Sequence, residues 1–214
     1  MAADIDQRER EALCDLFLER GPDAPTLCGD WTTADLAAHL VVRERNPLAG
    51  PGILFGGRFE GTTEKLMERE LDRHGYEGVV DRVRTGPPLG PMAIRPVGRL
   101  ANTIEYVVHH EDVRRPAGGG PRPDDTELQD VVWGLLRRAA RLLVARGRLG
   151  STGLELVRPG HDPVRASGKG DGAVVTGDPV EILLYLYGRK IDADVKLTGA
   201  ETAIAKVEKA SFGI

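Results

Sequence analysis

The chain has 214 residues, which suits one large domain or two small ones and is long enough to bury a real core. Hydrophobic residues make up 41% and charged residues 29%, an ordinary globular balance, and a net charge of −4 lacks the basic surplus of a general nucleic-acid binder. No apolar run approaches the roughly 20 residues that cross a bilayer, and the N-terminal MAADIDQRERE lacks the apolar core of a signal peptide. We therefore expect a cytoplasmic protein whose partners include neither membrane nor nucleic acid. Two cysteines, Cys14 and Cys28, exclude a disulfide scaffold and a Cys-based zinc knuckle and read as free, partly buried thiols.

The first half reads as helices. Residues 4–20 start at the N-cap Asp4, place Ile5, Leu13, Leu16 and Phe17 near one face, and stop at Gly21-Pro22. A second helix starts at Thr32 with Asp35 three residues on, an Asp variant of the capping box, and Trp31 stands ready as a staple. Its stripe of Leu36, Leu40 and Val41 runs to about Arg45, and Asn46-Pro47 ends it. The following PLAGPGILFGGRFEG is rich in Gly and Pro yet carries Ile53, Leu54, Phe55 and Phe59, as a lid or a loop packed on the bundle would. A third helix is expected over 62–84 and a fourth over 96–115, opened by Pro96.

AGGGPRP, residues 117–123, is the sharpest break in composition and the expected domain boundary: a helical bundle over 1–117 and a small α+β domain over 118–214. A fifth helix spans about 124–146. Short β-permissive segments follow at 153–158, 163–167 and 172–176, then a helix over 179–190, a strand over 194–198 and a helix over 200–210. The fold class expected is α+β, a four-helix bundle followed by a small α+β domain. The glycines of SGKGDGAVVTGD form no phosphate loop, because no Ser or Thr follows the GK and no helix opens there; a hairpin loop is expected instead.

The segment Asn102-Thr-Ile-Glu-Tyr-Val-Val-His-His-Glu-Asp112 carries the chemistry. Glu105 and His109 lie one turn apart on a single helix face, with Asn102 and Asp112 on the same stripe. A polar stripe on an otherwise apolar helix faces water or shares a polar partner, and a divalent metal is one such partner. His39, between Leu36 and Leu40 on a core-facing register, is the candidate third ligand, and Asp35 one turn before it either orients its imidazole or caps the helix. Three N/O ligands with an open position suit catalytic zinc, and equally iron, nickel or manganese. The same residues also read as a solvated polar face plus one hydrogen-bonded core histidine. The zinc-protease HExxH is absent, because position 114 is Arg. Asp112 or His110 would fill the fourth position of a non-catalytic site.

LCGDWTTADLAAHLVVRE, EYVVHHEDVRR and DPVEILLYLYGRK occur in that order and together resemble the mycothiol-dependent maleylpyruvate isomerase family, whose N-terminal domain is a DinB-like metal-binding bundle. The resemblance implies metal ligands at His39, Glu105 and His109, with Asp112 or Asp35 orienting an imidazole behind them. It implies that Arg189, in the Gly188-Arg189 pair, contributes to activity by holding an anionic substrate. It implies a divalent metal, zinc first, and mycothiol as cofactor or co-substrate, with a small thiol and an electrophile as partners. The reaction expected is isomerisation, conjugation or S-transfer; the alternative is a non-catalytic metal- or small-ligand-binding protein. Oligomeric state stays open, a dimer included.

The remaining features are structural by expectation. Arg137, Arg138, Arg141, Arg146 and Arg148 read as a solvated face, His74 as exposed, His161 as a turn residue, and Tyr106 and Trp133 as core.

Overall fold

Helix caps and glycine turns divide this chain more sharply than its hydrophobic pattern does. The computed structural model describes residues 5–45, 60–86, 95–170 and 172–212. The chain falls into two compact units that meet in sequence at Gly119 and Gly120.

The first unit holds helices α1 (Ile5–Arg20), α2 (Thr33–Arg45), α3 (Glu60–Thr85) and α4 (Arg95–Arg114). Residues 47–59, which include the apolar positions of the expected lid, lie outside the described residues, as does Asp4. The capping box at the start of α2 forms: Thr32 N–H donates to Asp35 Oδ2 at 2.9 Å, and Asp35 N–H returns to Thr32 Oγ1 at 3.3 Å. α3 is longer than expected at both ends and breaks at Gly75, where φ is 64°. α1 packs on α4 and α2 on α3. Leu13, Phe17, Leu36, Leu40, Val79, Val83 and Tyr106 fill the space between them. A buried ion pair crosses this core. Arg10 of α1 meets Glu44 of α2 through Nη2–Oε1 at 2.6 Å and Nη1–Oε2 at 2.9 Å. Tyr106 of α4 donates to the same carboxylate at 2.8 Å, and Arg10 Nη1 donates to Val83 O of α3 at 2.6 Å.

The second unit runs α5 (Thr126–Val144), a 3₁₀ turn at Ala145–Gly147, β1 (Gly153–Val157), β2 (Val164–Ser167), β3 (Gly172–Gly177), α6 (Pro179–Leu186), β4 (Val195–Gly199) and α7 (Glu201–Lys209). The sheet order is β2-β1-β3-β4. β1 pairs antiparallel with β2 (Leu156 opposite Val164) and parallel with β3 (Leu154 opposite Ala173), and β3 pairs antiparallel with β4. This corrects the hairpin expected of SGKGDG. β2 and β3 are not neighbours; the segment crosses over the start of β1. Gly168, at φ +55°, lies so close to that backbone that a Cβ would stand 2.3 Å from Thr152 O. α6 is also shorter than the expected 179–190. Gly188 at φ +86° reverses the chain, with Arg189 N–H donating to Leu184 O at 3.0 Å and Gly188 N–H to Tyr185 O at 3.3 Å, a Schellman end. All eight residues of α6 are buried. α5 packs on α6 and β2, and α7 packs on β3 and β4.

Candidate metal centre

α2 and α4 bring the titratable stripe together. His39 stands on α2 two turns past the cap, and Glu105 and His109 stand one turn apart on α4. The ring centroids of His39 and His109 are 5.6 Å apart and nearly edge-on at 76°. His109 Nε2 lies 3.3 Å from Glu105 Oε2. One donor atom from each of His39, Glu105 and His109 falls within 4.8 Å of the other two, and no fourth His, Cys, Asp or Glu joins that group among the described residues.

The partners around the three residues fix them. Arg43, one turn beyond His39, sets Nε 3.3 Å from Glu105 Oε2 and donates from Nη1 to Asn102 Oδ1 at 3.2 Å. Asp112 is fully buried and places Oδ2 2.8 Å from His109 Nδ1. Trp31 lies against His39 with centroids 5.1 Å apart. Asp35 has no such role: its hydrogen bonds go to Thr32, so it serves as the helix cap and does not orient His39. His110 turns to α1, where its Nδ1 lies 2.8 Å from Glu9 Oε2. Glu111 pairs with Arg114 and Arg115.

His39 Nδ1 is buried and has no hydrogen-bond partner. An imidazole nitrogen left that way forfeits its hydration without return, which a bound ligand or ion reverses. Two imidazoles and a carboxylate are a donor set that fits zinc, iron, nickel or manganese.

The electrostatics divide the three residues. Burial, reinforced by the neighbouring His109, pushes the His39 imidazole down to about 4, so it is neutral at pH 7. Burial works to raise Glu105, but the Arg43 guanidinium and His109 outweigh it and hold the carboxyl at about 2. Burial likewise works to lower His109, but its bonds to Asp112, Cys28 and Glu105 prevail and raise it well above the usual histidine range. Without an ion the centre therefore holds one neutral imidazole, one carboxylate and one imidazolium.

Cys28 is the residue that sequence reasoning passed over as a bland thiol. Its Sγ lies 3.0 Å from Asp112 Oδ2 and 3.9 Å from His109 Nδ1. The only signal for it was its place three residues before Trp31, in the segment that leads to His39. Arg189 lies in the second unit, in the Schellman turn after α6, where Nη1 donates to Tyr187 O at 2.5 Å.

No protein-family model and no curated protein matches this sequence. Two solved structures match its fold. One is the mycothiol-dependent maleylpyruvate isomerase, at 15% identity and a TM-score of 0.60, covering 94% of this chain and 92% of that one. The other is a histidine-to-alanine mutant of the mycothiol-dependent maleylpyruvate isomerase, at 14% identity and a TM-score of 0.59 with the same coverage. At that identity the likeness speaks to architecture: this chain, a four-helix bundle followed in sequence by a small α+β unit, shares the fold of that isomerase.

Proposed function

We propose that this protein is a metal-dependent enzyme that uses a low-molecular-weight thiol of the mycothiol type for isomerisation, conjugation or S-transfer. The observation that carries the reading is the convergence of His39, Glu105 and His109 with His39 Nδ1 buried and unbonded. The fold shared with an enzyme described as mycothiol-dependent supports it.

His39, Glu105 and His109 would hold a divalent ion, zinc first, with nickel, iron or manganese also suited. The ion, when bound, supplies the positive charge that keeps a thiol deprotonated at neutral pH. The chain's own residues prepare for this. Arg43 keeps Glu105 ionised and in place. Asp112, by accepting Nδ1–H, would leave Nε2, the nitrogen that faces Glu105, as the one that gives up its proton when the ion binds. Two neutral imidazoles and one carboxylate would leave a bound dication with one net positive charge, so the set favours an anionic fourth partner such as a thiolate. We assign Arg189 to an anionic electrophilic substrate, through a bidentate contact of its guanidinium.

Calorimetric titration of the zinc-loaded full chain with mycothiol tests the reading. We expect thiol binding that disappears in His39→Ala and Glu105→Ala, and an Arg189→Ala variant that binds metal and thiol as before. Thiol binding that persists without the metal overturns it. Metal binding with no thiol binding leaves the non-catalytic metal-binding alternative.

A further inference from the structure

His109 has two nitrogens, and the proposed centre uses only the side that faces Glu105. The other side is built as well. Asp112 Oδ2 lies 2.8 Å from His109 Nδ1 and 3.0 Å from Cys28 Sγ, and Sγ lies 3.9 Å from Nδ1. Donor atoms of the three residues lie within 4.8 Å of one another. The loop that carries Cys28 is held rather than draped. Leu27 N–H donates to Asp112 O at 2.9 Å, Cys28 N–H to Thr26 Oγ1 at 3.1 Å, and Thr26 Oγ1 to Trp31 O at 2.8 Å. A bridge between Pro25 and Thr32 closes the loop at its base. His109 and Asp112 are buried, whereas Cys28 is half-buried, so the thiol stands on the accessible side.

We propose that Cys28, His109 Nδ1 and Asp112 form a second metal position, selective for a thiophilic divalent cation. Two donor protons converge on one carboxylate oxygen here, and a dication replaces both. The Cys28 S–H and His109 Nδ1–H bonds break, their protons leave to water, and three bonds to the cation form. Two positive charges enter and two leave, with no change in oxidation state. A tetrahedral zinc-sized ion needs S···N, S···O and N···O separations of about 3.4–3.6 Å, from bond lengths of about 2.3 Å to sulfur and about 2.1 Å to nitrogen and oxygen. Each observed separation lies within about 0.7 Å of that, a shift that side-chain rotation covers. The thiolate sets the preference: sulfur, imidazole and carboxylate together suit zinc or cadmium and do not suit magnesium or calcium. This position shares His109 with the His39 centre, through the opposite ring nitrogen, but it needs neither His39 nor Glu105 and so can fill when those two are replaced.

Cadmium titration of the full chain, followed by the thiolate-to-cadmium charge-transfer band in the ultraviolet, decides it. We expect the band at about one thiolate per chain in the wild type and in His39→Ala. We expect its loss in Cys28→Ser, where the hydroxyl still donates to Asp112 and the fold is kept. Absence of the band in the wild type, its persistence in Cys28→Ser, or its loss in His39→Ala overturns the second position. Failure of the His39 centre shows separately, as metal uptake by the Cys28→Ser chain that ignores added His39→Ala or Glu105→Ala.

Discussion

Replacing Glu44 with alanine attacks the point where all four bundle helices meet. Its side chain is 1% exposed and that of Arg10 6%, so the pair is removed from water. Both guanidinium nitrogens of Arg10 rest on the Glu44 carboxylate, and the guanidinium carbon lies 4.3 Å above the Tyr106 ring. Removing one partner of a buried ion pair leaves an uncompensated charge and costs about 3–5 kcal/mol. Val83 O still accepts from Arg10, which softens the loss, while the Tyr106 hydroxyl loses its acceptor, which adds to it. The two corrections oppose each other, so we expect Glu44→Ala to cost about 4 kcal/mol, a large share of the roughly 5–15 kcal/mol that holds a domain folded. Glu44→Gln keeps one acceptor oxygen and loses the charge, and should cost about 2 kcal/mol. The assay is urea unfolding followed by the fluorescence of Trp31, with Trp133, the second of two tryptophans, replaced by Phe. A loss below about 1 kcal/mol for Glu44→Ala refutes the reasoning, since it means the pair contributes no more than an exposed one.

Two further expectations come from other parts of the chain. His39 has a folded value of about 4 against an ordinary 6.5, so below pH 6.5 the unfolded chain takes up a proton that the fold refuses. The metal-free protein should therefore lose stability as pH falls from 6.5 to 4, and His39→Gln should flatten that slope by about 1.4 kcal/mol per pH unit in urea melts at pH 6, 5 and 4.5; equal slopes contradict the burial of a neutral imidazole. Gly168→Ala combines a left-handed φ with a backbone clash against Thr152 O, and should cost the second unit more than about 2 kcal/mol in a thermal melt followed by Trp133; an unchanged melt contradicts the crossing over β1.

Local signals in the sequence carried the helices: the capping box of Thr32 and Asp35, the 3.6-residue stripe of Leu36, Leu40 and Val41, and the breaks at Gly21-Pro22 and residues 117–123 all act within one or two turns. The pairing of β1 with both β2 and β3 was not legible, because strand order is decided by which loop can cross a backbone, and only Gly168 and Gly172 hint that one does. The early end of α6 depended on Gly188 taking φ +86° inside an apolar pattern that reads as continuing helix. At the candidate centre, the one-turn spacing of Glu105 and His109 and the core register of His39 were visible from periodicity. Asp35 presented two roles of equal local merit, and the hydrogen-bonding competition between cap and imidazole is settled only in three dimensions. Cys28 was invisible for the same reason: it meets Asp112 across 84 positions, through a loop whose path is set by a backbone bond from Leu27.

The central claim is that His39, Glu105 and His109 hold a metal ion. Elemental analysis of the full chain carrying Cys28→Ser, purified without a metal-affinity tag and incubated with zinc, tests it beside the same chain with Glu105→Ala added. Glu105 offers the carboxylate of the set and is kept ionised by Arg43. We expect His39→Ala to weaken binding along with it. With the second position removed in this way, near-stoichiometric metal that falls away when Glu105→Ala is added is the expected result; no metal in either protein after incubation with zinc, iron or nickel contradicts it.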